Sequence, residues 1–179
     1  LGLGLGPAVV LLLVTVPLFV FAGVLIRGVS RAGQRSHTAY PMALSYPSPS
    51  VARELVQATL GMIGGQYLDV TGAQTDLASL HRLKTGRLFS ASVACALWVA
   101  EVPEREQASW RAFADEIGLL FQIVDDILDE DGYLLEHGPE GARALADEAA
   151  ERAQARLAEV PGETSVLAGI VSGLAARTS

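Results

Sequence analysis

The sequence predicts an all-α fold, a packed bundle of helices, from three observations. Half of the 179 residues are hydrophobic, which suffices for one globular domain with a sizeable core. No stretch alternates polar and apolar residues as a half-buried strand would. From position 51 onward, apolar residues instead recur at helical spacing, and the first such stretch carries Leu55, Val56, Leu60, Ile63 and Leu68.

The order of the helices follows from this spacing and from the residues that begin and end helices. Pro103 stands where a helix should begin, and Gly132 where one should stop. The pair Pro161-Gly162 closes a run rich in Ala, Glu and Arg, all of which favour helix. We therefore expect helices over residues 52–70, 76–102, 104–128, 141–160 and 164–176.

The first 50 residues differ from the rest in charge, which predicts two segments, 1–50 and 51–179. No Asp or Glu precedes Glu54, so all twenty acidic residues lie beyond position 50. The proline-rich stretch 45–50 predicts a linker or sharp turn between the segments. The uncharged run 7–26 is about 20 residues long, enough to span a membrane. A membrane helix, a buried helix and a broken or artificial N-terminus all remain open.

Charge and cysteine content exclude several classes of function. A net charge of -7 argues against binding to a nucleic-acid backbone. Cys95 is the only cysteine, so neither an internal disulfide nor a zinc site built on cysteines is expected. These features predict a reducing, cytoplasmic location, with membrane contact through residues 7–26 as the open alternative.

The feature most indicative of chemistry is an acidic cluster near the end of a long apolar helix. Asp125 and Asp129 are one helical turn apart, and Asp126 lies beside them. Three carboxylates in apolar surroundings would repel one another without a cation. Mg²⁺ fits, because it commonly takes one or two carboxylates together with phosphate oxygens. The alternative is a solvated acidic helix end.

Two further clusters could take part in the same site. Lys84, the only lysine, lies in LHRLKTGRLF, where a cation beside a glycine could contact a phosphate. In GMIGGQYLDV, Gln66 and Asp69 are neighbours on one helix face. The paired glycines before them cost about 2 kcal/mol in a helix, which suggests close packing or ligand approach. A solvated basic turn and a helix break are the respective alternatives.

In this order, GMIGGQYLDV, LHRLKTGRLF and FQIVDDILDEDGY resemble the trans-type isoprenyl diphosphate synthases, or polyprenyl synthetases, from about Leu55 to Ala176. The resemblance implies the isoprenoid synthase type of helical bundle, around a deep apolar pocket. It also implies an Mg²⁺-dependent prenyltransferase that joins an allylic diphosphate to isopentenyl diphosphate in isoprenoid biosynthesis. The expected assembly is a homodimer or a pair with a partner synthase subunit.

The resemblance also implies which residues form the site. Asp125, Asp126 and Asp129 would hold Mg²⁺ in the second aspartate-rich motif of the family. Catalytic roles would fall to Lys84 and Thr85, with Asp125. The residues expected to contact substrate are Gln66, Asp69, Lys84, Thr85, Phe121 and Gln122.

The chain departs from the family pattern in two places. The first aspartate-rich motif is absent, since AGVLIRGVS stands where its aspartates are expected, and the lysine-rich stretch after the second motif is replaced by GYLLEHGPEGARAL. Two alternatives to a complete synthase therefore stay open: an incomplete partner subunit or fragment, and a terpene cyclase.

Overall fold

The computed structural model describes residues 36–72 and 76–178, and these are helical apart from short connections. Within these two ranges there are seven α-helices: α1 (Ser36–Ser45), α2 (Pro49–Thr71), α3 (Leu77–His81), α4 (Arg87–Val99), α5 (Ala108–Asp129), α6 (Gly132–Ala158) and α7 (Ser165–Ala175). A π-helical segment, Arg82–Gly86, joins α3 to α4, and 3₁₀ turns lie at Glu104–Glu106 and Ala176–Thr178. The predicted all-α fold is confirmed.

The core is built mainly between α5 and α6, which pack together more extensively than any other described pair. One face of α5 buries Trp110, Phe113, Leu120 and Ile123. The facing stripe of α6 is mostly alanine, so the two backbones can approach closely. That stripe consists of Ala142, Ala146, Ala149, Ala153 and Leu157, each at most 2% exposed.

A second, smaller cluster joins α1 and α2 to α4. Ala43 of α1 packs with Val51 and Leu55 of α2 and with Cys95 of α4. The proline-rich stretch appears as a three-residue break between α1 and α2, with Ser48 extended and Pro49 starting the next helix. Helix α1 therefore packs on the helices that follow it.

The structure does not describe residues 1–35, which contain the predicted membrane helix 7–26. Among the helices of residues 36–72 and 76–178, none combines the length and hydropathy that crossing a bilayer requires.

The boundary predicted at Gly132 is wrong. Gly132 was expected to stop a helix, but it is the first residue of α6, whose start Asp131 caps by accepting the Gly132 N–H at 2.7 Å. Helix α5 ends at Asp129 because Glu130 takes a left-handed conformation, with φ 57°. Helix α6 therefore begins nine residues before the predicted 141, and a kink at Gly138, φ 73° and ψ 171°, interrupts it.

Candidate functional site

The three aspartates at the end of α5 occupy three different environments. Asp126 is buried, Asp125 is half-buried and Asp129 is exposed. The expectation that all three lie in buried surroundings is therefore wrong for Asp129. The difference follows from the helical repeat, because Asp126 continues the buried face of α5 through Gln122 and Ile123, whereas Asp129 lies at its last turn.

The carboxylate of Asp126 contacts nitrogen atoms from three elements. Its Oδ1 accepts a hydrogen bond of 2.6 Å from Nε2 of Gln122, and its Oδ2 accepts one of 2.9 Å from the backbone N–H of Tyr133. Nε2 of His81 lies 3.1 Å from Oδ2, although off the line of a straight hydrogen bond. Burial acts to raise the pKa of Asp126, but these contacts outweigh it and hold the pKa below its usual value.

His81 and Tyr133 enclose this carboxylate. Their rings stack with centroids 5.4 Å apart, and the ring of His137 also stacks on that of Tyr133, at 5.9 Å. Burial, followed by the negative charge of Asp126, raises the pKa of Tyr133. These contacts tie α3 and the start of α6 to the end of α5.

The π-helical segment carries the predicted phosphate-binding residue. Backbone dihedrals are helical at both junctions, His81–Arg82 and Gly86–Arg87, so α3, the π segment and α4 follow one another as a continuous helix. A π segment inserts one extra residue into a helix and is often found at functional sites. Lys84 lies in it, one turn from His81, and its Nζ is 2.6 Å from Oδ2 of Asp69 on α2.

Close packing between α2 and this segment explains one of the paired glycines. A Cβ placed on Gly65 would lie 2.7 Å from the backbone N of Lys84, a distance that real side chains do not adopt. A Cβ on Gly64 would meet nothing within 4 Å. The expected close packing therefore applies to Gly65 and leaves Gly64 without a packing explanation.

The other residues predicted to contact substrate differ in how deeply they are buried. Gln122 is buried and bonded to Asp126, and Thr85 is only 5% exposed. Phe121 is half-buried, with its ring 5.2 Å from that of Phe89. Gln66 is exposed, and within the described part of the chain no hydrogen bond connects it to the other site residues.

The three aspartates differ in how readily they could bind Mg²⁺. No group of three or more His, Cys, Asp or Glu side chains in residues 36–72 and 76–178 is arranged to hold a metal ion. Asp125 and Asp129 have the chemistry and the one-turn spacing that a cation sharing phosphate ligands would use. Both oxygens of Asp126 already contact donors of the chain.

Three residues of this site were not predicted from the sequence to belong to it: His81, Tyr133 and Gly132, the last of which was expected only to end a helix. Each lies inside or directly beside a motif that was, so proximity in sequence was the available signal. Their role depends on the contact between α3 and the junction of α5 and α6, which helical periodicity does not report. A Cβ on Gly132 would lie 2.0 Å from Oδ2 of Asp126, which explains why glycine stands there.

The chain is similar to known proteins over most of the described residues. The sequence profile of the polyprenyl synthetase family matches residues 30–138. A farnesyl diphosphate synthase of Bacillus subtilis is 37% identical over 89 residues, covering 46% of this chain and 30% of that protein. The small subunit of a heterodimeric geranylgeranyl pyrophosphate synthase of Arabidopsis thaliana is 32% identical over 98 residues, covering 54% and 30%.

Two solved structures share the fold. The FPP/GFPP synthase of Zymomonas mobilis matches with a TM-score of 0.62 and 30% identity, over 72% of this chain and 52% of that one. A farnesyl-diphosphate synthase described as putative, from Marinomonas sp. MED121, matches at 0.61 and 32%, over 73% and 55%. The chain thus spans about half the length of these structures and about a third of the curated relatives.

Proposed function

The chain belongs to the polyprenyl synthetase family, and we propose on this basis that it carries the diphosphate-binding half of a prenyltransferase. The reaction would be the Mg²⁺-dependent joining of an allylic diphosphate to isopentenyl diphosphate. The relatives named as farnesyl diphosphate synthases support this assignment.

The supporting observation is that the three sequence clusters meet through two contacts. His81, at the start of the Lys84 cluster, lies 3.1 Å from Asp126 of the aspartate motif. Lys84 itself contacts Asp69 of the glycine-rich cluster on α2. Groups that bind a diphosphate must lie close together. Here Lys84 contacts Asp69, and His81, one helical turn from Lys84, contacts Asp126.

Lys84 can exchange its partner. Side-chain exposures of 32% for Lys84 and 35% for Asp69 place this ion pair at the surface, where such pairs contribute about 1 kcal/mol or less. A diphosphate carries several negative charges and more acceptor oxygens than one carboxylate, so it would displace Asp69 at little cost. The ammonium group of Lys84 would then contact the diphosphate, which is the leaving group of the reaction.

Asp125 and Asp129 would hold Mg²⁺ beside this cation, with Lys84 and Asp125 as the catalytic residues. When bound, Mg²⁺ would neutralise negative charge on the diphosphate as its bond to the allylic carbon breaks. The chain would position the diphosphate by means of Lys84 and keep water away with the apolar residues around Phe89 and Phe121.

A second candidate is a partner subunit that binds diphosphate while another chain completes the site. The similarity to a small subunit of a heterodimeric synthase favours it. So does an apolar stripe on α2 that is 44% to 77% exposed in this chain and consists of Val56, Leu60, Ile63, Tyr67 and Val70. Such a stripe is typical of a helix that packs against another polypeptide.

One assay separates the two candidates. The purified chain is incubated with Mg²⁺, farnesyl diphosphate and labelled isopentenyl diphosphate, alone and with a bacterial farnesyl diphosphate synthase. A longer labelled diphosphate from the chain alone supports the enzyme, and a longer product only in the mixture supports the subunit. If neither product forms and the chain does not bind diphosphate, the proposal is wrong.

Binding of inorganic pyrophosphate tests the role of Lys84 directly. Losing a charged hydrogen-bond donor costs about 1.5–3 kcal/mol, so Lys84→Gln should weaken the affinity about tenfold to a hundredfold. The matched control is Arg82→Gln, which removes an exposed cation two residues away that contacts only Ser79 among the described hydrogen bonds. Equal losses of affinity in both variants would show that Lys84 contributes only its positive charge and makes no specific contact with pyrophosphate.

A further inference from the structure

Asp126 differs from the other aspartates of its motif in how completely the chain surrounds its carboxylate. The side chain is 7% exposed, and each oxygen accepts a hydrogen bond, from Gln122 and from the Tyr133 backbone respectively. Its backbone oxygen also accepts the N–H of Asp131 at 2.9 Å. Asp126 therefore fixes both the last turn of α5 and the turn into α6.

The backbone of Gly132 lies close against the same carboxylate. A Cβ at this position would lie 2.0 Å from Oδ2 and 2.6 Å from Cγ of Asp126. A hydrated cation is far larger than a methyl group, so it could not approach Oδ2 from this direction. The Nε2 atom of His81, which is itself buried, lies 3.1 Å from the same oxygen. Mg²⁺ would have to displace a donor to reach Asp126.

We propose that Asp126 is a positioning residue and not a ligand of Mg²⁺. It connects α3, α5 and the start of α6, and so holds Asp125 and Asp129 in the orientation that the metal requires. His81 is its partner from α3. The metal-related part of this inference rests on the proposed function, whereas the structural part does not.

The sign of a stability change without metal distinguishes a positioning residue from a ligand. In EDTA, Asp126→Asn should lower the melting temperature by about 5 °C, because a neutral amide accepts hydrogen bonds more weakly than a carboxylate and offers one oxygen in place of the two that accept from Gln122 and Tyr133. A ligand would behave in the opposite way, since removing one of several repelling carboxylates stabilises a metal-free protein. Asp129→Asn, exposed in the same motif, is the matched control and should not lower it.

A compensating substitution sharpens the test. In Gln122→Glu with Asp126→Asn, the new amide at 126 can donate to the new carboxylate at 122, which restores the bond with donor and acceptor exchanged. The double variant should recover most of the melting temperature in EDTA. It should also recover most of the Mg²⁺-dependent binding of pyrophosphate that Asp126→Asn alone loses. Adding Gln122→Glu to Asp125→Asn should not restore the pyrophosphate binding that Asp125→Asn loses.

His81→Phe gives an independent result if the Asp126 variants fail to fold. It keeps a ring against Tyr133 but removes the nitrogen beside Asp126, so it should lower the melting temperature in EDTA. An unchanged or raised melting temperature in Asp126→Asn or His81→Phe would overturn the proposal. So would a double variant that stays destabilised. Absence of pyrophosphate binding by the parent chain would instead reject the proposed function and leave the EDTA comparison valid.

Discussion

Two aspartates of the site, Asp126 and Asp69, each lie within 3.1 Å of a nitrogen-bearing side chain, yet they behave differently. Asp126 is buried and contacts three elements, whereas Asp69 is 35% exposed and contacts one lysine. A buried polar group that loses a partner cannot turn to water instead, but an exposed one can. The first carboxylate is therefore a fixed part of the fold, and the second can release its partner to a ligand.

The largest effect is expected at the glycine that makes room for the buried carboxylate. Gly132→Ala would drive a methyl group into Asp126 at a backbone φ of 43°, and should cost about 3 kcal/mol or more of unfolding free energy. Urea denaturation measures this cost. Gly72→Ala is the control, because its φ of 62° carries strain but its Cβ would meet nothing within 4 Å, and should cost about 1 kcal/mol. Equal costs would mean that strain alone explains Gly132.

A smaller loss of stability is expected where α2 packs against the backbone of Lys84. This contact lies between the buried Asp126 and the exposed Asp69 in the order of expected effects. Gly65→Ala should destabilise by about 1–3 kcal/mol, because its methyl group would lie 2.7 Å from a backbone atom that cannot easily move. Gly64→Ala, one residue away in open space, should stabilise by about 0.5–1 kcal/mol through its better helix propensity. Destabilisation by both would show that both glycines are needed for packing.

The smallest change in stability is expected at the exposed pair. Asp69→Asn should alter the unfolding free energy by about 1 kcal/mol or less. The same variant frees Lys84 from its partner, so the affinity for pyrophosphate should stay the same or rise. A calorimetric titration measures it. A large loss of stability would place Asp69 with the buried groups and remove the basis for partner exchange.

The helices could be predicted from periodicity, since burial on α2, α5 and α7 recurs at helical spacing. The boundary at Gly132 could not, because a glycine after an acidic run is typical of a helix end and its actual role depends on a carboxylate approaching its backbone. The π segment breaks the regular repeat and leaves no mark in composition. At the site, the three clusters were recognisable, but the burial of Asp126 against the exposure of Asp129 depends on α6 covering only part of the α5 terminus.

The extra residue of the Arg82–Gly86 segment makes the spacing between His81 and α4 as important as the side chains themselves. Removing any one residue there would let a regular α-helix form, which is the more common backbone conformation. Everything before the deletion would then turn by about 100° about the helix axis. His81 would then lose its contact with Asp126 even though both side chains were retained. The number of residues in this segment therefore matters as much as their identity.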